Sequence, residues 1–407
     1  MKILLINHYA GSIYHGMEFR PYYLSKEWVK MGHEVVIVAA SFSHLRQKNV
    51  DISTEVREEN IDGVRYLWLK TPEYNGNGLG RIRNMLAFIR KLYVHLPKIT
   101  ADFIPDAVIA SSTYPLDSYP AKWIAKKHGA KFVFELHDLW PMSPQVLGNM
   151  SKWHPFIMVM QMAEDYWCRN ADVVISLLPD AYKHLVTRGM KMRKYRVVPN
   201  GIATTEWENC CFSSDIIPAI RKIKSDGSIL VGYLGGHAIS NGLDFVIDSA
   251  CKLRKRKIKF VIVGNGTEKA RLMERVEKER LSDVVYFFPA VPKKFVPSVL
   301  SEMDILTLVA VDSPLYEFGV SPNKIYDYMM AAKPILWSAN VSNNIIRDAE
   351  CGYTTSPGDI EEYLCMLNYL ISLADKDRET IGKKGRDFVL DNYTYDKLAR
   401  IFLELIK

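Results

Sequence analysis

The sequence predicts an α/β protein built from two doubly wound domains in tandem. Short runs that are apolar throughout alternate with amphipathic helical patterns along the chain. Strands of that kind, without polar alternation, belong to parallel sheets covered on both faces by helices. A length of 407 residues is more than one hydrophobic core usually organises. With 48% hydrophobic and 24% charged residues and no low-complexity tract, the composition leaves no room for a large disordered share.

The first series of strands is expected at Lys2–Ile6, Glu34–Ala39, Ala107–Ala110, Lys131–Leu136, Val173–Ser176 and Arg196–Val198, with a helix ending at Lys30 between the first two. A second series follows at Ile229–Tyr233, Lys259–Val263, Val284–Phe287, Ile305–Val309 and Pro334–Trp337, each run again leading into a helical pattern. Between them, Asn200 to Ser228 mixes Gly, Thr, Pro and the vicinal Cys210-Cys211 without a clear period, which marks a linker. The domains are therefore drawn at residues 1–205 and 206–389, with a helix over about 390–407 placed to pack back on the first. Ligands of such sheets bind at the carboxyl ends of the strands, here expected to face an interdomain cleft.

No run reaches the roughly 18 apolar residues of a membrane span. The apolar stretch Ile3–Ile6 gives way to Asn7-His8, too short for the core of about 7 to 15 residues in a signal peptide. A cytoplasmic protein is expected. The six cysteines form no C-x-x-C, so reduced thiols are expected as well. Asp375-Lys376-Asp377 is the one D-x-D and lies in a polar helix-end region, so no metal is expected. A net charge of +7 admits nucleic acid, acidic lipid or a phosphorylated small molecule as partner, and the placement of the cations has to decide.

The segment richest in chemistry runs from Glu317 to Leu336. Ser321 as N-cap and Pro322 at the first helical position predict a helix start, which presents free backbone N–H groups and a partial positive charge. Asn323 and Lys324 follow in the first turn, where a cation opposes the helix dipole unless an anion is near. A diphosphate at this start would satisfy both, leaving Asp327 free to accept hydrogen bonds from a ribose diol. The competing reading is an exposed Lys324-Asp327 pair on a plain capped helix.

Asp327-Tyr-Met-Met-Ala-Ala-Lys-Pro-Ile resembles the second half of the E-x7-E segment of the retaining GT-B glycosyltransferases of family 4. The resemblance implies a GT-B fold, two Rossmann-like doubly wound domains facing a cleft, with Asp327 on the donor ribose. The position of the family's first acid is Gly319 here, so the nearby Glu317 is the candidate for a place at the donor sugar. Ser-Pro-Asn-Lys-Ile-Tyr-Asp-Tyr-Met resembles the subgroup that builds bacterial O-antigen and capsule, L-fucosamine transferases included.

Other stretches match in the same order. Asn7 to Arg20, with Gly11 and Gly16, resembles the family's N-terminal glycine loop, where a missing Cβ lets backbone approach a substrate; plain turns are the alternative. Phe132 to Pro141 is a buried-strand pattern ending in His137-Asp138, and the resemblance implies that His137 faces the donor sugar and that Asp138 helps place it or the acceptor. Glu135, two residues before His137, is expected to be a buried acid, with Arg20 proposed as its partner. The family's two diphosphate cations are missing around Gly235, Gly236 and His237; the glycines could form a backbone cradle, with His237 or Lys324 supplying charge. Val261-Ile-Val-Gly264-Asn-Gly266 resembles the V-G-x-G step that shapes the nucleotide pocket in the family.

From Tyr74 to Ala101 the chain has no acid, and Arg81, Arg83, Arg90 and Lys91 interleave with apolar residues. Such a helix either lies on anionic lipid or packs its apolar side into the core.

The expectation is a metal-independent, cofactor-free glycosyltransferase. It moves a sugar such as L-FucNAc, with retention, from a UDP-type nucleotide sugar to a polyprenyl-diphosphate-linked or oligosaccharide acceptor of lipopolysaccharide or capsule. It is expected as a peripheral protein on the inner face of the cell membrane, with no nucleic-acid partner. The rivals are a nucleotide-sugar epimerase of the same fold and a non-catalytic nucleotide-sugar-binding partner. An NAD-dependent dehydrogenase is disfavoured because no complete G-x-G-x-x-G appears.

Overall fold

The computed structural model describes residues 1–76, 78–208 and 215–407. The Cys210-Cys211 pair and the middle of the expected linker lie outside the described residues. The chain forms two compact units: Met1–Asn200 with Phe318–Val320 and Tyr395–Lys407, and Gly201–Glu317 with Ser321–Thr394.

The first unit is built on strands β1 (Lys2–Ile6), β2 (Glu34–Ala40), β3 (Val56–Ile61), β4 (Val64–Leu69), β5 (Ala107–Ala110), β6 (Lys131–Leu136), β7 (Val173–Ser176) and β8 (Tyr195–Val197). They form one sheet in the order β3-β4-β2-β1-β5-β6-β7-β8, parallel except for the β3/β4 pair. Residues Ile3 to Ile6 at its centre are fully buried, as strands apolar on both faces require. The covering helices include α1 (Arg20–Lys30), α2 (Leu79–Asp102), α3 (Ser118–His128), the short α4 (Met142–Val146) and α5 (Pro155–Asn170). The last helix, Tyr395–Ile406, lies against α1: Trp28 donates to the carbonyl of Ala399 at 3.0 Å and meets the ring of Phe402 edge-on.

The second unit has strands β9 (Ile229–Leu234), β10 (Ile258–Val263), β11 (Val285–Phe288), β12 (Ile305–Val309), β13 (Ile335–Ser338) and β14 (Gly352–Thr355). All are parallel, in the order β11-β10-β9-β12-β13-β14.

The strands read from sequence lie within one residue of their expected bounds. Three further strands are present. β3 reads Val-Arg-Glu-Glu-Asn-Ile and is largely exposed, an edge strand whose charges hide it, although Asp62-Gly63, both at positive φ, is a hairpin signal in its own right. Its hairpin partner β4 escapes with it. β14, Gly-Tyr-Thr-Thr, is a four-residue edge strand. The expected linker is also partly ordered: helix Ile217–Lys224 is bound into the second unit through Arg221–Glu302 and Lys224–Asp304 ion pairs.

Candidate functional site

In the first unit, the loop after β1 folds on itself. Gly11 has no room for a Cβ, which would lie 1.9 Å from the carbonyl of Gly16. Gly16 is buried at φ +94°, and a Cβ there would meet the backbone nitrogen of Gln47 at 2.9 Å. Gly16 therefore serves the loop's own packing, which corrects its reading as an opening for a ligand; the exposed tip is Ile13 and Tyr14.

At the end of β6 the expected acid is present and its partner is Arg20. The two side chains are 0% exposed and meet at 2.9 Å. Arg20 also donates to the carbonyls of Val198 and Pro199. The other Glu135 oxygen accepts from the hydroxyl of Ser111 at 2.6 Å. Burial would push the Glu135 carboxyl up, but Arg20, His137 and Ser111 together outweigh it and bring it to about 2. Nε2 of His137 lies 3.0 Å from the Ser111 hydroxyl oxygen and 3.2 Å from Glu135. The hydroxyl proton is committed to the carboxylate, so Nε2 carries the imidazole hydrogen and Nδ1 is left as the acceptor.

Asp138 turns the other way. Its carboxylate accepts from the N–H of Leu139 at 2.8 Å and the hydroxyl of Ser143 at 2.7 Å, and burial raises its pKa. Through one carboxylate oxygen it holds the turn into α4.

On α2 the expected cationic group divides. Arg81 turns inward, its guanidinium over the rings of Tyr9 and Trp140 and bonded to the Tyr9 hydroxyl. Lys91 pairs with Glu55. Arg83 and Arg90 are the exposed pair.

In the second unit, helix Asn323–Met330 has Pro322 as its N-cap residue, in extended geometry and without a side-chain cap bond. Ser321 is therefore not the cap; its hydroxyl lies 3.0 Å from that of Tyr326. Proline fixes φ but leaves ψ free, so an extended Pro322 moves the helix start one residue on.

Lys324 and Asp327 do not pair. Lys293 grips Asp327, with its nitrogen 2.6 Å from both carboxylate oxygens. Asp327 is buried and engaged, which corrects its expected freedom. Lys324 reaches back to β9: it donates to the Tyr233 hydroxyl at 2.9 Å and to Asn241, and its nitrogen sits 4.8 Å from the Tyr233 ring centre. No carboxylate faces it among the described residues. Burial lowers its pKa to about 8.

The glycine loops near it are unequal. The N–H of Gly235 is spent on the carbonyl of Val263 at 3.0 Å. Around Gly236 there is space, since a Cβ would meet only the Asn241 side chain at 3.9 Å. Gly264, at φ +151°, lets its backbone lie against Gly235. His237 is fully buried, and neither ring nitrogen has a partner among the described residues. Burial, Lys269 and Lys324 lower its pKa to about 4, so it is neutral near pH 7 and does not supply the expected charge. Glu317 is exposed on the turn Pro314–Phe318. Gly319 has φ +92°, a conformation a glutamate at this position would adopt only with strain.

Sequence reasoning missed Lys293, Tyr233 and Asn241. Their available signal was position, since Tyr233 and Asn241 lie at and after the carboxyl end of β9 and Lys293 follows β11. Among the described residues no group of three or more His, Cys, Asp or Glu side chains could hold a metal ion.

Two parallel doubly wound units in tandem define a GT-B fold. The chain belongs to the glycosyltransferases: residues 15–201 match the glycosyl transferase 4-like domain and residues 228–372 the glycosyl transferases group 1 domain. It is 25% identical to a component of the phosphatidylinositol N-acetylglucosaminyltransferase of Arabidopsis thaliana, over 74% of this chain and 60% of that protein. To the O-antigen biosynthesis glycosyltransferase WclY of Escherichia coli it is 23% identical, over 57% of each. The matches thus span under two thirds of these relatives' own lengths. Among solved structures, Anabaena HepE in complex with UDP and glucose superposes with a TM-score of 0.68 at 14% identity, covering 99% of both chains, a likeness of fold.

Glu135→Ala should cost about 3 to 5 kcal/mol in urea unfolding, the usual cost of stranding one partner of a buried pair, whereas Arg20→Met with Glu135→Leu should cost less. Because the Glu135 pKa falls from 4.5 to about 2 on folding, its contribution is full above pH 4.5 and lost as pH falls toward 2, so Glu135→Gln should flatten that part of the stability curve.

His237 binds its proton only below about pH 4 when folded and below 6.5 when unfolded, so it withdraws stability as pH falls from 6.5 to 4. In His237→Asn the denaturant midpoint should vary less across that window than in the wild type.

Proposed function

We propose that the chain is a retaining glycosyltransferase that takes a UDP-linked sugar and passes it to a lipid-carried or oligosaccharide hydroxyl in bacterial surface-polysaccharide synthesis. The observation that carries the donor assignment is Lys324: a lysine with no acid to meet it among the described residues, in the first turn of a helix, whose partners Tyr233 and Asn241 both donate to the carbonyl of Gly236. Such a cation, together with the first-turn N–H groups, suits a diphosphate. The UDP and glucose bound to HepE support a uridine nucleotide, and the name of WclY supports O-antigen as the product class, with L-FucNAc a candidate sugar.

In this reading the bond from the anomeric carbon to the diphosphate breaks, its electron pair leaving with UDP, as the acceptor oxygen bonds to the same face. The acceptor proton passes to the departing phosphate oxygen. Lys324 and the helix start meet the charge that develops there, which is where such groups act most strongly. Asp327, held by Lys293, receives the ribose. No metal or cofactor is assigned a part. A lipid-carried acceptor places the protein at the inner face of the cell membrane.

Incubation with a panel of nucleotide sugars and a lipid-linked acceptor tests the reading: free UDP with glycosylated acceptor supports it, and an isomerised donor or binding without turnover overturns it. Lys324→Ala and Asp327→Ala should each weaken UDP binding by about 1.5 to 3 kcal/mol in calorimetry, the range for charged hydrogen bonds. An anion raises the pKa of Lys324 above about 8, so wild-type affinity should fall as pH rises past 8, and Lys324→Ala should remove that dependence.

Turnover should persist in EDTA, since Lys324 and the helix start carry the charge a divalent ion would otherwise meet. Loss of activity with chelator, regained on adding magnesium or manganese, would contradict this.

A further inference from the structure

The outward faces of α2, α3 and α5 form one surface. On α2 the exposed residues Leu86, Arg90 and Tyr93 recur at helical spacing, opposite the buried Met85, Phe88 and Leu92. The Tyr93 ring meets Trp123 of α3 at 5.3 Å, and Trp123 is 40% exposed. One turn earlier on α3, Tyr119 meets Tyr166 of α5 at 4.4 Å. The row continues along α5 through Met162, 65% exposed, to Met158. Large apolar and aromatic side chains thus run side by side across three helices, where a free surface ordinarily carries them singly.

The free charge around them is positive: Glu55, in the groove that Arg83, Leu86 and Arg90 line, pairs with Lys91, and Asp172 faces Lys122. Arg83, Arg90, Lys126 and Lys127 are exposed, and none has an acid within ion-pair distance among the described residues. α3 contains no acid, and the one acid of α2 is its last residue, Asp102. The acids of α5 are occupied: Glu164 is buried against His184 and Asp165 pairs with Arg188.

We infer that this three-helix face rests on an anionic bilayer, the methionines and Leu86 entering the acyl boundary, Tyr93, Tyr119 and Trp123 at headgroup depth, and the cations on lipid phosphates. Trp and Tyr favour that depth, and long basic side chains reach from an apolar base to the headgroups. A second copy of the chain fits the same face poorly, because a two-fold contact lays the face on itself and brings Arg83, Arg90, Lys126 and Lys127 against the same cations. The inference deepens the reading of a lipid-carried acceptor but stands on the surface alone.

Vesicle sedimentation of the full chain tests it. The wild type should bind phosphatidylglycerol-containing vesicles at low salt, lose them as salt rises, and ignore pure phosphatidylcholine. At about 1 kcal/mol per cation, Arg83→Gln, Arg90→Gln, Lys126→Gln and Lys127→Gln together should lower partitioning at least a hundredfold. Met158→Gln with Met162→Gln should lower it too, with the salt dependence kept. All six positions are exposed, so unfolding midpoints and UDP affinity should stay as in the wild type. A wild type that remains in the supernatant, or a charge variant that sediments normally, overturns the inference. So does a dimer in sedimentation velocity that Trp123→Ser dissociates, which gives the face to a second copy. Vesicle binding by a protein with no affinity for UDP leaves this surface standing and removes the donor assignment; UDP binding without vesicle binding does the reverse.

Discussion

A charge that leaves water has to be met by an opposite charge or by a close ring of dipoles, and the two units of this chain meet that requirement differently. In the first, Glu135 neutralises Arg20, and the carbonyls of Val198 and Pro199 and the side chain of Asn200 accept from its Nη groups. The result is a scaffold that ties the start of α1 to the end of β6 and to the chain leaving β8. His137 is fixed as a consequence, because the carboxylate that holds Arg20 also holds its Nε2. In the second unit Lys293 and Asp327 meet each other, but among the described residues Lys324 has only neutral oxygens and a ring face. A scaffold cation needs a permanent partner, whereas a cation kept short of one retains attraction for an anion that comes and goes.

The glycines divide along the same line. Gly11, Gly16 and Gly264 are occupied by the protein's own backbone or by Gln47, and what they permit is close packing of loops at strand ends. Gly236 is the one of the expected glycines with open space around it. A glycine-rich loop in a sequence states that backbone comes near something. Whether that something is a ligand or another turn of the same chain depends on residues distant in sequence, such as Gln47 for Gly16.

Most of the sheet architecture was legible because buried parallel strands carry an unbroken apolar run, and the Arg20–Glu135 pair was legible because an acid inside such a run needs a cation. What escaped were pairings across long separations. Lys293 and Asp327 lie on different strand-helix repeats, and Lys324 finds Tyr233 and Asn241 at separations of 91 and 83 residues. Local spacing favoured Lys324 with Asp327 at three residues, and tertiary packing overrode it. The helix start was missed by a single residue, since Ser-Pro is compatible with either an N-cap and first turn or an extended entry, and Pro322 takes the extended one.

The α2 helix shows why a basic amphipathic pattern does not by itself choose between core and membrane. Over 24 residues its apolar side chains fall into two stripes. Met85, Phe88, Leu92 and Leu96 are spent on the core, and Leu86, Tyr93 and Val94 face outward. The cations split with them: Arg81 caps an aromatic group inside the unit, Lys91 answers Glu55, and Arg83 and Arg90 remain on the outer side. Core and surface were alternatives in the sequence, but a helix apolar on more than one side can satisfy both. The outer stripe would be a solubility liability if it stood alone, and its continuation across Trp123 and the methionines of α5 turns it from a blemish on one helix into a face with its own composition.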